Sequence, residues 1–403
     1  MATTGKLNDK VRIRDFKLNA LLDIATAINS NSTVDILLLE YERLLKEQLS
    51  IERLKLYAGQ NGWQCILKFG GRDKAVEYFE SDDVFQRKRG AIEPFDEQDI
   101  VIPILKNEQP IAYLVVGDDH EDKISVSPVI KHMKFIQTLT NLLVVAIQNR
   151  KLQEENVKQE RIKRELELAA EMQAMLLPGK LPRDNYFEVS AYYKAHQQVG
   201  GDYYDFFMVD DEEAVFCMAD VSGKGITAAF VMAGFQAYLR SLFSHGQRDL
   251  NAATIELNNR VFDITKGEKF ITIFLALYNI KTRKLQYVNC GHNAPLLYCP
   301  DEGVQLLQAN LPGLGMIETL PAFQLRSLTL TPESIAVTYT DGLIEIENPQ
   351  MEEYGTERLT DIVLASHKHA VAEMNKRILA DVNTFREDSP YHDDIAILSC
   401  RFL

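Results

Sequence analysis

Two aspartates lie in glycine-containing turns, one before and one after a pair of strand-like runs. Asp202 follows a Gly-Gly dipeptide, and Asp220 opens the loop DVSGKG. Between them, the apolar runs Tyr203–Val209 and Ala214–Ala219 flank an acidic turn, and this pattern predicts a β-hairpin. A hairpin returns its ends to the same edge, so we expect the two carboxylates to be neighbours in space. A hard divalent cation would relieve their repulsion, whereas the alternative is a pair of solvated turn aspartates.

Carboxylates also stand at the ends of two strand-like runs farther along the chain. The β-branched run Ser334–Thr340 ends in Asp341, and the last apolar run, Ile395–Leu398, follows Asp393 and Asp394. Because several acids at strand ends can supply the oxygen ligands of one site, this repetition favours a shared cation site over isolated turn residues.

The order of these motifs resembles the metal-dependent protein serine/threonine phosphatases of the PPM family, in their bacterial SpoIIE/RsbU-like branch. The resemblance covers about the last 225 residues and implies an α+β fold, the PPM-type α-β-β-α sandwich. Six stretches match in family order: Met175-Leu176-Leu177-Pro178, Gly200-Gly201-Asp202, Ala219–Gly225, Asn289–Pro295, Thr340-Asp341-Gly342 and Asp393-Asp394-Ile395.

The resemblance also implies a mechanism and a set of ligands. Two Mn²⁺ or Mg²⁺ ions would share Asp220 as a bridging ligand and activate a water for attack on a phosphoserine or phosphothreonine, so Asp220 and Asp202 are the expected catalytic residues. Oxygen-only ligands suit Mg²⁺ or Mn²⁺ better than zinc. The expected metal ligands are the Val221 backbone carbonyl and the carboxylates of Asp202, Asp220, Asp341, and Asp393 or Asp394.

Three other residues near this expected site are weaker candidates. In the eukaryotic branch of the family a histidine lies near the bridging aspartate, where this chain has Ser222, and no arginine here matches that branch's phosphate-binding arginine. Lys224 and Ser222 are the candidates for binding the substrate phosphate, with a solvent-facing lysine as the alternative. His292 is a candidate proton donor to the leaving oxygen, with a turn histidine bonded to the backbone as the alternative.

The composition indicates a cytoplasmic protein of two domains and a connector. The chain has 403 residues, 46% of them hydrophobic, which is enough for two cores. Its net charge of −14 argues against binding to nucleic acid. The five cysteines form no Cys-x-x-Cys pair, as is typical of a reducing compartment. The N-terminus lacks the apolar core of a signal peptide, and the longest apolar run, Leu142–Ile147, is too short to span a membrane.

Residues 1–133 resemble a GAF-like α/β sensory domain. Two helical patterns up to Leu49 are followed by four strand-like runs, and a closing helix is predicted from about Ser127. Such a domain would bind a small-molecule or protein signal, or only dimerise. Trp63, Cys65 and Phe69 are candidates for lining a ligand pocket, with an ordinary core as the alternative.

Residues 134–178 predict a helical coiled-coil linker, because no proline or glycine occurs between Val129 and Leu177. Apolar residues recur there at steps of three and four, but Lys151–Lys163 is nearly all polar. A helix with so few apolar positions is unstable alone, so we expect a parallel homodimer; a solvated single-chain linker is the alternative. Pro178 ends the helix, and residues 179–403 form the phosphatase-like domain.

The expected function is the removal of phosphate from a signalling protein under control of the sensory domain. In the family that substrate is typically an anti-sigma-factor antagonist. One alternative is a non-catalytic dimeric sensor scaffold with a degenerate phosphatase domain, and another is a purely structural coiled-coil adaptor. A third is a diguanylate cyclase, since Gly200–Phe206 superficially resembles its Gly-Gly-Asp-Glu-Phe signature, although the phenylalanine comes two positions late.

Overall fold

A computed structural model describes residues 2–30, 32–59, 62–70, 77–86, 99–117 and 128–403. The chain divides into two compact units, Met1–Glu160 and Arg161–Leu403. The predicted linker is one continuous helix that begins at Pro128 and ends at Ala174, so the division falls within it.

The first unit is a five-stranded antiparallel sheet with the longer helices packed on one face and one short helix, which carries Phe85, on the other. The helices are α1 (Ala2–Asn29), α2 (Val34–Arg43, followed by a π-helical turn at Leu44–Gln48), α3 (Asp83–Gln86) and α4 (Pro128–Ala174). The strands are β1 (Arg53–Ala58), β2 (Trp63–Phe69), β3 (Tyr78–Phe79), β4 (Asp99–Lys106) and β5 (Gln109–Gly117), in the spatial order β3-β2-β1-β5-β4.

The three candidate pocket residues of β2 do not share one face of this sheet. Trp63 and Cys65 belong to an aromatic cluster with Tyr57 and Tyr113, whereas Phe69 packs in the core beneath the helices. The cause is a bulge: Leu56 pairs with Leu67, but the next residue of β1 pairs with Cys65. An extra residue reverses the alternation of side chains, so the prediction that all three line one pocket is wrong.

The second unit is a four-layer α-β-β-α sandwich built on two antiparallel five-stranded sheets. Its helices are α5 (Ile226–Ser244), α6 (Leu250–Thr265), α7 (Asp341–Ile344), α8 (Gly355–Ser366) and α9 (Val371–Arg386). Its strands are β6 (Phe187–Lys194), β7 (Tyr203–Met208), β8 (Glu213–Val221), β9 (Ile271–Asn279), β10 (Lys284–Cys290), β11 (Leu296–Cys299), β12 (Gly303–Leu306), β13 (Arg326–Thr329), β14 (Ser334–Tyr339) and β15 (Ile395–Phe402).

Each sheet of the sandwich has one face toward the other sheet and one toward helices. The first sheet has the order β13-β10-β9-β8-β7 and carries α5 and α6, and the second has the order β12-β11-β14-β15-β6 and carries α8 and α9. Aromatic side chains including Phe206, Phe216, Phe274 and Phe402 fill the space between the sheets. The predicted hairpin is β7–β8, so the two aspartate corners lie at one end of the first sheet.

In the described part of the chain, α5 is the one helix long and apolar enough to cross a membrane. The core helix of a soluble protein can pass the same test. One face of α5, which includes Met232, Phe235 and Leu239, is buried in the core against the first sheet. We therefore assign α5 to the protein core.

The buried Asp205 carboxylate ties α5 to β7. Its oxygens accept hydrogen bonds from Arg240 Nε at 2.6 Å and Nη2 at 2.7 Å, and the Tyr203 hydroxyl donates to the same carboxylate. Loss of Arg240 would leave an uncompensated charge in the core. We expect Arg240→Met to lower the free energy of unfolding by about 2–4 kcal/mol in urea titrations. Arg326→Met, at an exposed position on the edge strand β13, should change it little; equal stabilities of the two variants would contradict this role for Asp205.

Candidate active site

The β7–β8 hairpin brings Asp202 and Asp220 together. Tyr203 pairs with Ala219, so the aspartate before β7 lies opposite the aspartate near the end of β8. The two carboxyl groups are close enough that the charge of Asp220 raises the pKa of Asp202. The sequence prediction that these two side chains are neighbours is therefore confirmed.

A glycine at position 201 permits this close approach. A Cβ there would lie 2.9 Å from the Val221 carbonyl oxygen and 3.4 Å from Asp220 Oδ1. The first distance is shorter than real Cβ contacts allow, and a backbone oxygen cannot swing aside. The Val221 carbonyl thus lies at the same corner as the two carboxylates, where the sequence predicts it.

Asp341 reaches this corner from the second sheet. It is the first residue of the short helix α7, directly after β14, and its Oδ1 accepts a hydrogen bond from Gly342 N at 2.7 Å. A Cβ on Gly342 would lie 2.0 Å from the carbonyl oxygen of Asp394, so this turn packs directly on the segment before β15. Burial raises the pKa of the Asp341 carboxyl, and the charge of the nearby Asp393 raises it further.

Asp393 and Asp394 are adjacent in sequence but differ in their contacts. The Asp394 carboxylate accepts hydrogen bonds from Gly201 N and from His196 N, each at 2.7 Å, and it is buried. The Asp393 carboxylate is more exposed and forms an ion pair with Lys224 at 2.8 Å. Asp394 therefore holds the glycine corner in place, whereas Asp393 presents its oxygens to the rest of the acidic group.

We define the acidic cluster as Asp202, Asp220, Asp341, Asp393 and Asp394. Burial and the charges of neighbouring carboxylates raise the pKa values of three of these groups, Asp202, Asp220 and Asp341. Burial, followed by the charges of Asp220 and Asp394, raises the pKa of Asp202 well above its ordinary value. Burial, followed by the charges of Asp341 and Asp393, raises the pKa of Asp220 to about 7. Folding thus brings several carboxylates close together. Their negative charge is only partly offset by protonation of the carboxyls and by the ammonium group of Lys224.

The cluster fits a divalent cation in the chemistry of its donors. All of them are carboxylate or carbonyl oxygens, the ligands that Mg²⁺ and Mn²⁺ prefer. Asp202 Oδ2 is buried and has no hydrogen-bond partner in the described part of the chain. Among those described residues, however, no three His, Cys, Asp or Glu side chains are arranged so that they could bind one ion together. The carboxyl groups contact each other and Lys224, so binding an ion requires them to exchange these contacts for metal bonds.

The structure places the weaker candidates in different positions. Lys224 lies at the cluster, where its Nζ also donates to the His392 carbonyl at 2.7 Å. Ser222 Oγ accepts a hydrogen bond from Phe270 N at 2.9 Å, which ties the loop after Asp220 to the residue before β9. His292 is buried, its ring bonds Thr272 at 3.0 Å, and burial lowers its pKa to about 4. A neutral, buried imidazole is a poor proton donor at pH 7, so we do not assign it that role.

Three further residues contact the site, and of these Gln173 and Tyr193 carried no sequence signal, whereas Thr340 belongs to a matched stretch but had no assigned role. The Gln173 side chain, at the end of α4, donates to the Gly200 carbonyl at 2.7 Å and accepts from Gly200 N at 3.1 Å. The Tyr193 hydroxyl is buried, and a Cβ on Gly200 would lie 2.3 Å from it and 2.2 Å from Asp394 Oδ2. The Thr340 hydroxyl lies near Asp202, and its oxygen accepts a hydrogen bond from Ala396 N at 2.9 Å. The contacts of Gln173 and Thr340 join residues that are far apart in sequence.

Comparison with known proteins identifies similar chains and a similar fold. The family model described as Stage II sporulation protein E (SpoIIE) matches residues 210–403. Phosphoserine phosphatase RsbU of Bacillus subtilis is 30% identical over 247 residues, which are 60% of this chain and 71% of RsbU. Phosphoserine phosphatase RsbP of the same organism is 27% identical over 237 residues, which are 58% of this chain and 56% of RsbP.

A solved structure supports the architecture of the second unit. The SiaA-PP2C domain of Pseudomonas aeruginosa superposes with a TM-score of 0.55 at 20% identity, over 61% of this chain and 99% of that domain. At this identity the likeness is one of fold alone. The chain spans between about two fifths and seven tenths of the length of the curated relatives that it matches.

Proposed function

The chain belongs to the SpoIIE family of protein phosphatases, and on that premise we propose that it hydrolyses phosphoserine or phosphothreonine on a signalling protein. The observation that carries this proposal is the convergence of Asp202, Asp220, Asp341 and Asp393 from four chain segments at one corner of the sandwich. No scaffold role requires buried carboxylates that destabilise one another. We further propose an anti-sigma-factor antagonist as the substrate.

Two Mn²⁺ or Mg²⁺ ions are the cofactors that we propose. Their ligands would be Asp220, Asp202, Asp341, Asp393 and the Val221 carbonyl, with Asp394 anchoring the corner. When bound, such ions lower the pKa of water and offset the charge of a phosphoryl group.

The chain's own residues would bind and orient the substrate phosphate. Lys224 is protonated at neutral pH, as an ordinary lysine is, and its hydrogen bond with Asp393 raises the pKa of its ammonium group further. Once Asp393 ligates a cation, this ammonium group becomes available to a phosphate oxygen. Helix α5 begins at Ile226, two residues after Lys224, so its free N-terminal amides add partial positive charge nearby. Ser222 supports the loop through its bond to Phe270.

The N-terminal unit and α4 are proposed to control this activity. We propose a GAF-like domain that responds to a small-molecule or protein signal and a homodimer formed through α4. Residues 151–165 of α4 are exposed on all sides, including Leu152 and Val157, which are 55% and 69% exposed. A second copy of the helix would cover these apolar side chains. A cytoplasmic location is part of the same proposal.

The proposed activity is tested by measuring phosphate release from a phosphoseryl protein. The full chain is stripped with EDTA and assayed with and without added Mn²⁺. We expect release with Mn²⁺ and none above background without it. Release that is equal in EDTA would contradict a metal-dependent phosphatase, and absence of release under all conditions would favour the non-catalytic scaffold. Incubation with GTP tests the diguanylate cyclase alternative, for which we expect no product.

Metal and pH should have linked effects on stability. The pKa of Asp220 is about 7 in the folded protein, compared with about 4 in an unfolded chain. The folded state therefore retains a proton that the unfolded state has lost between these values, and its stability falls as the pH rises through this window. In EDTA we expect the melting temperature to fall between pH 5 and pH 8. Mn²⁺ should raise it more at pH 8 than at pH 5, and calorimetric scans that give equal increments would contradict the linkage.

A further inference from the structure

A cavity of about 230 Å³ lies beside the acidic cluster. It is lined by Lys194, Ala195, His196, Tyr391 and Asp393. Lys194 ends β6 and pairs with Ile395 at the start of β15, so the two sides of the cavity are fixed by neighbouring strands of one sheet. Because Asp393 belongs both to the cavity wall and to the acidic cluster, a polypeptide with its phosphate at the cluster would extend into this cavity.

Two cationic side chains lie over the aromatic ring of this cavity. Lys194 Nζ is 3.8 Å and Arg386 Cζ is 4.4 Å from the centroid of the Tyr391 ring. The Tyr391 hydroxyl and Arg386 Nε both donate to Asn383 Oδ1, at 2.8 and 2.9 Å, and Arg386 Nη1 donates to the Ser389 carbonyl at 2.6 Å. The ring and the guanidinium group are thus held in position by neutral acceptors.

Neither cation is neutralised by an acid. In the part of the chain that the structure describes, Lys194 and Arg386 form no ion pair with a carboxylate. Lys224, a further cation at the acidic cluster, already pairs with Asp393. Two positive charges with unused hydrogen-bond donors therefore stand next to a strongly acidic site.

We propose that the cluster of Lys194, Tyr391 and Arg386 binds an acidic side chain, Asp or Glu, close in sequence to the phosphorylated residue of the protein substrate. This inference rests on the proposed function and names the substrate feature that the site selects. An extended peptide advances about 3.3–3.6 Å per residue, so a subsite whose wall includes Asp393 suits a neighbour a few residues from the phosphoserine. The two cations offset the repulsion that the acidic cluster exerts on such a segment.

The test uses three phosphoserine peptides that are identical except for glutamate, alanine or lysine at the positions flanking the phosphoserine. The kcat/KM of the full chain with Mn²⁺ is measured for each. We expect the glutamate peptide to exceed the alanine peptide by about fivefold, mainly through KM, and the lysine peptide to be the poorest. Raising the salt concentration should reduce this preference, because the charges are partly exposed.

Substitutions test whether Lys194 and Arg386 cause the preference for the glutamate peptide. In the double variant Lys194→Met, Arg386→Met, the ratio of glutamate to alanine peptides should fall to about one, while Lys194→Arg should retain it. Lys180→Met and Arg326→Met are the matched controls at exposed positions outside the cavity. The alanine peptide serves as an internal standard, so a general loss of folding cannot imitate the result.

These measurements distinguish failure of the proposed subsite from failure of the proposed phosphatase function. A wild type without preference, or a double variant that keeps the preference, would overturn the subsite while hydrolysis of the alanine peptide still supports the phosphatase. A preference only for peptides with a second phosphate in place of glutamate would also overturn the assignment to an acidic side chain. Failure to hydrolyse any peptide or phosphoseryl protein would overturn the proposed function, and this inference with it.

Discussion

Asp220→Asn is expected to lower kcat for phosphoserine hydrolysis by about a thousandfold or more. Asp220 lies beside Asp202 and within the electrostatic range of Asp341, Asp393 and Asp394, so it occupies the centre of the acidic cluster. Removing its charge weakens cation binding at the centre of the cluster. Metal ions contribute several kcal/mol of transition-state stabilisation, and about 4 kcal/mol corresponds to a thousandfold in rate. Phosphate release from a phosphoseryl protein at saturating Mn²⁺ measures the effect.

A second property of this variant separates a functional from a structural role. Because the folded protein raises the pKa of Asp220, the carboxylate is destabilising above about pH 7. Asp220→Asn should therefore melt at the same or a higher temperature than the wild type in EDTA at pH 8, despite its loss of activity. Asp211→Asn, in the exposed turn of the same hairpin, should change neither property. Unchanged activity in Asp220→Asn would reject the assignment of the site.

Gln173→Ala is expected to lower kcat/KM by about 10- to 100-fold, as is typical when a residue that supports metal ligands is removed. The Gln173 side chain satisfies both the N–H and the carbonyl of Gly200, and the next residue, Gly201, donates its N–H to Asp394. The last turn of α4 is thereby connected to the corner that holds Asp202. Alanine would leave two buried backbone groups unpaired and loosen this corner.

The matched control for this prediction is on the same helix. Gln159→Ala replaces an exposed glutamine of α4 and should leave activity unchanged. For Gln173→Ala, the concentration of Mn²⁺ that gives half-maximal activity should rise, since this corner holds Asp202, one of the proposed metal ligands. If the two variants are equally active at every Mn²⁺ concentration, Gln173 does not position the site.

The sequence was sufficient to predict the part of the site that depends on hairpin pairing and on the ends of strands. A two-stranded hairpin with Tyr203 opposite Ala219 places Asp202 and Asp220 side by side, whatever surrounds them. The strand ends at Asp341 and Asp393 were predictable for the same reason, from β-branched runs that end in polar residues. The assignment of α4 as one long helix followed from the absence of proline and glycine.

Contacts between distant segments could not be predicted in this way. The choice between Asp393 and Asp394 depends on which carboxylate meets the N–H of Gly201, a contact across 193 residues. Gln173 is one polar residue on a largely polar helix, and only folding shows that its amide meets Gly200. For Phe69, a single extra residue in β2 reversed the predicted face. For His292, burial lowers the pKa out of the range that its sequence environment suggests.

Anomalous diffraction from crystals of the full chain soaked in MnCl₂ tests the central claim most directly, because it locates manganese without reference to activity or regulation. We predict two anomalous peaks at the acidic cluster, both in contact with Asp220 and each completed by other members of the cluster or by the Val221 carbonyl. Crystals of Asp220→Asn under the same conditions should show weaker peaks or none. Manganese bound only elsewhere on the wild-type protein, with the cluster unchanged, would contradict the claim that these carboxylates form a catalytic metal site.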